Sequence, residues 1–323
     1  MKRREFLAMA GAAAVTSFSI PRASAQVAKW PERPVKLIIP YAPGGGSDLI
    51  GRPWAEALSQ AFGQQFVVEN RGGAGGMIGT EAAAKAAPDG YTFLATPGAT
   101  LTVLPHLRKA PYDASKFVPC GRTGDFVTGF SIHANVGPKT FAEMVDYAKK
   151  NPGKLSYGSA GLATATHLRL EMLKYRAGID ILHVPYRGSA DALNDLLPNN
   201  VQMMNEINNI PHVKAGKLHL LNINNPTRHW DFPNIPTLTE LGHPDSDVPI
   251  WYSIQGPPGL PNEIAEKLNA KMLEISKTES IQKSLRGVSA ALQPMTTKEM
   301  RAFFDGDSQN NANLIKAAKI KLE

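Results

Sequence analysis

One cysteine in 323 residues, Cys120, leaves no possibility of a disulfide within the chain. Flanked by "FVP" and "GRTG", it reads as a small buried apolar residue rather than a nucleophile. Nucleotide fingerprints are missing too. G-x-G-x-x-G fails at its sixth position, which is Leu49 counting from Gly44 and Ile78 counting from Gly73, and no Gly-Lys-Ser/Thr occurs. None of the eight histidines forms H-E-x-x-H, and no Cys/His pair has zinc spacing, so neither metal nor cofactor is expected. His106, His229 and His243 read as surface residues. No dense Lys/Arg block and no basic patch interleaved with aromatics is present, which argues against a nucleic-acid partner.

What the chain does have begins at its start. Lys2, Arg3 and Arg4 precede an apolar stretch from Phe6 to about Ile20, and Ala23-Ser24-Ala25 follows. That order predicts a secretory signal, too short for a membrane span and cleaved after Ala25. Adjacent arginines before Glu5-Phe6-Leu7 give it a twin-arginine character, so a periplasmic location is expected. Lys2, Arg3, Arg4 and Arg22 against Glu5 account for three of the seven net positive charges. The remaining weak positive balance suits an anionic solute.

Beyond residue 25 strands and helices alternate. "PVKLIIPYA" is a β-branched run, and the helix after it puts Ile50, Trp54, Leu58 and Phe62 at i+4 spacing. Pro53 is awkward there, so the helix is expected to start near Arg52 or to have an irregular first turn. "QQFVVEN" and "YTFLAT" are further strands separated by a helix, which predicts βαβ units and a parallel sheet buried on both faces. A second set follows "HANVGPKT": strands in "LSYGSA", "DILHVPY", "VQMMNEI" and "LHLLNINN", with helices between them. "VPIWYSIQGPPGLP" reads as an extended return segment before two amphipathic C-terminal helices. The organisation is α/β, in two lobes of about 100 residues each. The boundaries fall at 26–128 plus 250–323 for the first lobe and 129–249 for the second.

Four loops follow strand C-terminal ends: "YAPGGGSD", "ATPGAT", "YGSAGLATATH" and "HVPYRGSAD". Such edges form the ligand crevice of open α/β sheets. Small residues let backbone amides approach an anion without any Arg or Lys. For the three glycines of the first loop a tight turn, a phosphate grip and a bare backbone touching a ligand compete. If the last holds, a side chain at Gly46 obstructs the ligand, and one at Gly75, in the second glycine-rich stretch, does so less.

The segments "PYAPGGGSD", "VVENRGGAGGMIGT", "AAPDGYTFL", "NPGKLSYGSAG", "HVPYRG" and "PTLTELG" occur in an order that resembles the Bug family, the periplasmic receptors of tripartite tricarboxylate transporters. The resemblance covers most of residues 26–323. It implies a two-lobed Venus-flytrap fold, type II-like, with a cleft between the lobes. It also implies a small-carboxylate ligand, a membrane permease as partner, no enzymatic activity, and a monomer. By position, Tyr41, Gly44, Gly45, Gly46, Ser47 and Asp48 would form the first-lobe grip with Thr96 nearby. Ser159, Ala160, Gly161 and Thr164 would form the second, with Tyr186 to Ser189 as the adjoining wall. Asp48 is expected to cap the following helix, since it would repel an anion. Arg187 either attracts a distal carboxylate or is solvated. Departures from the family pattern include Ala42, Gly72, and Asn205-Glu206 where Phe-Asp is common. Asn205 either accepts a polar group of the ligand or lies outside the pocket. Competing readings are a hydrolase using Ser159 with His167 or His183, and a ligand sensor signalling to a membrane partner.

Overall fold

A computed structural model describes residues 29–243 and 249–320. The expected signal sequence and cleavage site fall outside the described residues.

The strands are β1 (Val35–Ile39), β2 (Phe66–Asn70), β3 (Thr92–Pro97), β4 (Val118–Phe126), β5 (Ser131–His133) and β6 (Ser156–Ser159). They continue with β7 (Leu182–Pro185), β8 (Met203–Met204), β9 (Leu218–Leu220), β10 (Trp251–Gly256) and β11 (Ala290–Ala291). They form two sheets, ordered β11-β4-β10-β3-β1-β2 and β7-β6-β8-β5-β9. The expected parallel pairing holds for β1 with β2 and β3, and for β6 with β7 and β8. It fails elsewhere. β10 runs antiparallel between β3 and β4, and β5 runs antiparallel to β8 and β9, so both sheets are mixed. The segment read as a simple return is thus a fully buried central strand: the chain comes back from the second sheet and enters the first from the opposite direction. Burial on both faces also fails at the edge, where Val67 of β2 is 51% exposed.

Each sheet has its own apolar core. Phe130, Phe141, Met144, Tyr157, Leu170 and Met203 are among the residues clustered about the second. Ile38, Leu94, Phe117, Trp251, Met300 and Phe304 cluster about the first. The C-terminal helices Asn262–Ile275 and Thr297–Ala317 pack on β4, where Asn269 Nδ2 donates to the Cys120 carbonyl at 2.8 Å. Cys120 is fully buried, and burial pushes its thiol up to about 12, which leaves it inert.

The first helix runs from Gly46 to Phe62, straight through Pro53. The proline forfeits one ladder bond, to the Leu49 carbonyl, and the buried face of Ile50, Trp54 and Leu58 outweighs that loss. Trp54 Nε1 also donates to the Thr123 carbonyl at 2.6 Å. His229 is another correction. It is fully buried beside Trp230 and Phe232, with Nε2 3.0 Å from Ser289 Oγ, although the polar, Pro-rich stretch around it suggested exposure.

Candidate functional site

The glycines after β1 serve separate purposes. Gly44 adopts φ +76° with open space around a would-be Cβ, so it makes the turn. Gly45 is the extended N-cap, its carbonyl accepting from Asp48 N and Leu49 N at 2.9 and 3.0 Å. Gly46 opens the helix in ordinary helical geometry and is there for close approach. A Cβ on it would lie 2.2 Å from Phe126 Cζ and 3.0 Å from Glu206 Oε2. Any obstruction by a side chain at Gly46 would therefore begin with the protein's own Phe126.

Asp48 is not the cap. It sits in the first helical turn, where Oδ2 accepts from Gly44 N at 3.0 Å and Arg52 Nε at 2.7 Å, and Oδ1 accepts from Asn70 Nδ2 at 3.0 Å. Burial alone would raise its pKa, but these hydrogen bonds outweigh it and hold the carboxylate below its usual range. Asp48 thus fastens the loop.

Opposite this loop stand the loops of the second sheet. Thr164 caps the helix Ala165–Ala177 by accepting from His167 N, and its Oγ1 donates to the Gly161 carbonyl at 2.7 Å. Ala160 N donates to Thr166 Oγ1 at 3.1 Å. Ser189, at the start of the helix Ser189–Leu196, accepts from Gly46 N at 3.2 Å, which joins the two sets of loops directly. Together they enclose a cavity of about 20 Å³. That is room for one water-sized group, far below the several hundred Å³ of an ordinary solute pocket.

Of the residues singled out in the sequence, Tyr41, Gly45, Gly46, Ser47, Ala160 and Thr164 line this cavity. Ser189, Thr166, Pro97, Ala165, Ile250, Tyr252 and Glu206 line it as well. Ser189 lay in the expected wall, and Thr166 lay in a singled-out loop. Tyr252, on the segment read as a return strand, left no sequence signal. The other candidates stand back. Thr96 is buried, with its hydroxyl 2.7 Å from Thr100 Oγ1, and Gly44 and Asp48 hold the loop. Gly161 accepts from Thr164 beneath the cavity, and Tyr186 donates to Asp195 Oδ2 at 2.7 Å. Arg187 is exposed. Asn205 is fully buried, donates to Asn224 Oδ1 at 2.7 Å, and is not among the residues that line the cavity.

Gly75, expected to matter less, crosses to the other side. Tyr41 Oη donates to its carbonyl at 3.0 Å, and a Cβ on Gly75 would lie 2.3 Å from the Leu162 carbonyl oxygen.

Ser159 Oγ lies 2.6 Å from His183 Nε2, the contact a hydrolase would need. The chemistry does not follow. Ser159 is fully buried, and burial with the neighbouring His167 ring, stacked at 4.1 Å, pushes His183 down to about 3. A general base works best near the operating pH, so this histidine is a poor one.

A larger cavity of about 540 Å³ lies on the far side of Ala165 and Ile250, which line both spaces. Val103, Leu168, Met172, Trp251 and Leu314 make much of its wall, with Arg169 and Arg176 among its polar groups.

Residues 50–320 match the family described as the tripartite tricarboxylate transporter family receptor. Protein BugT of Bordetella pertussis is 31% identical over 325 residues, 98% of this chain and 96% of that protein. The solved periplasmic binding protein BugD superposes with a TM-score of 0.85 at 31% identity, covering 91% of this chain and all of that one. An R. palustris protein solved with adipate gives 0.86 at 29% identity, covering 90% and 99%.

Proposed function

Since the chain belongs to the tripartite tricarboxylate transporter receptor family, we propose that it captures a small organic carboxylate in the periplasm and hands it to a membrane permease. The observation that carries this reading is the cavity between the loops of the two sheets. Its wall offers the hydroxyls of Ser47, Thr164, Thr166 and Ser189, with backbone amides beside them. Hydroxyls and amides without a cation are the means by which an uncharged loop holds a carboxylate. The adipate carried by the R. palustris relative fits that chemistry.

The small volume implies motion. A solute enters only if the lobes, 26–128 plus 250–323 and 129–249, part and close again about the chain crossings. Expressed alone, 129–249 should fold cooperatively, because a separate apolar core surrounds the second sheet. A non-cooperative melt of that fragment would count against the partition. Receptor action itself is tested by a thermal-shift screen of mono-, di-, tri- and aromatic carboxylates. At a hundred times its dissociation constant a true ligand adds about 2.7 kcal/mol. Stabilisation by sugars or cations, with none by carboxylates, would overturn the reading. Hydrolysis of esters that is lost in Ser159→Ala would instead restore the hydrolase.

A further inference from the structure

Glu206 is the only carboxyl among the described residues that line the small cavity. It is 4% exposed, and its Oε2 has no hydrogen-bond partner among the described residues. That oxygen lies on the Gly46 side, within 3.0 Å of where a methyl group on Gly46 would stand. A buried polar atom without a partner is uncommon and costly, so it calls for a reason. An acid in a cavity whose other polar groups suit an anion is a second oddity, because two carboxylates at close range cannot both stay ionised.

The groups facing Glu206 narrow the possibilities. Tyr41 and Tyr252, which line the cavity with it, and Tyr157 lie within its electrostatic reach, all buried and all held neutral by that burial. Among the described residues Arg169 is the cation whose field opposes its burial. We propose that Glu206 is a specificity-determining residue that meets the solute's carboxylate as a neutral acid. Its O–H is donated to one carboxylate oxygen, so only the protein with Glu206 protonated accepts the solute. The inference rests on the carboxylate reading of the cleft and adds to it a condition on protonation. Burial pushes the Glu206 carboxyl up to about 8 against the opposing Arg169, and an anion beside it would raise it further. No electron moves and no bond other than the hydrogen bond forms.

The test uses the mature chain, with adipate, malate, citrate and benzoate as probes, titrated by calorimetry from pH 7 to pH 9.5. For a probe that binds, affinity should be nearly constant below pH 8 and fall about tenfold per pH unit above it. Proton uptake should rise toward one per ligand over the same range. Glu206→Gln keeps a donor that cannot titrate, so its affinity should vary less than about threefold across that range. Glu206→Met keeps the bulk without a donor and should bind at least tenfold more weakly than the glutamine variant at pH 7.

Infrared spectroscopy supplies an arm that needs no ligand. A neutral carboxylic-acid carbonyl band present at pH 7 should vanish above pH 8 and be absent from Glu206→Gln. Lack of that band, or the same pH dependence in wild type and Glu206→Gln, overturns the inference while leaving carboxylate capture intact. If the band is present but none of the four probes binds at any pH, the carboxylate reading of the cleft fails and takes this inference with it.

Discussion

Replacing Gly75 by alanine is expected to weaken solute capture about a hundredfold, equivalent to about 2.7 kcal/mol, while costing the fold only about 1–2 kcal/mol. Two effects combine at this residue, and they can be separated. The φ of +67° strains any L side chain, open or closed. The added Cβ would also stand 2.3 Å from the Leu162 carbonyl oxygen, a backbone atom that cannot rotate away as a side chain could. Gly75 follows the second strand of the first sheet and Leu162 follows the first parallel strand of the second. The clash therefore falls on the approach of the two halves, so the variant should resist closing.

Gly44→Ala is the matched control. Its φ of +76° imposes similar strain, yet nothing lies within 4 Å of the new Cβ. It should lose comparable stability and retain affinity within about threefold. Small-angle scattering completes the test: ligand should shrink the radius of gyration of wild type and Gly44→Ala, and leave Gly75→Ala unchanged. Equal loss of binding in both variants would assign the effect to backbone strain and remove the cross-cleft argument.

The contrast between these glycines also marks how far the sequence could be read. Apolar spacing placed the first helix, because Ile50, Trp54 and Leu58 recur at one turn and a half-buried face follows from that alone. The loops rich in Gly, Ser and Thr identified both walls of the small cavity, since small residues beside helix N-termini carry their own signal. Gly75 carries none. Its close approach to Leu162 depends on how two sheets meet, and no local pattern records that. Tyr252 was hidden for a related reason: a strand that enters the middle of a sheet after a crossover looks like any other apolar run. Glu206 was visible only as a departure from a family pattern, and its burial decided what the departure means.

Replacing Arg122 by methionine should be the most damaging single change to the fold, at about 3–5 kcal/mol near neutral pH. Arg122 and Asp125 are both nearly fully buried on β4 and pair through two hydrogen bonds, Nε to Oδ1 and Nη2 to Oδ2, each 2.7 Å. The guanidinium also lies 4.3 Å above the Phe303 ring, so the pair ties the central sheet to the C-terminal helix. Burial pushes Asp125 up to about 6 even with Arg122 beside it. Without the arginine that value must rise further, because only the desolvation remains.

The sign of the pH dependence follows. An acid whose folded pKa lies above its unfolded value binds its proton more tightly when folded, so its stability cost is absent in acid and grows as pH rises. The loss in Arg122→Met should therefore be smallest near pH 3, below the unfolded value of about 3.9, where Asp125 is mostly neutral in both states, and largest at pH 8. Urea denaturation across that range measures it. The double variant Arg122→Met with Asp125→Asn removes the stranded charge and should recover much of the loss at pH 8. A penalty below about 1 kcal/mol, or one that does not change with pH, would mean that water or a neighbouring group neutralises Asp125, and that the pair does not hold β4 to the helix.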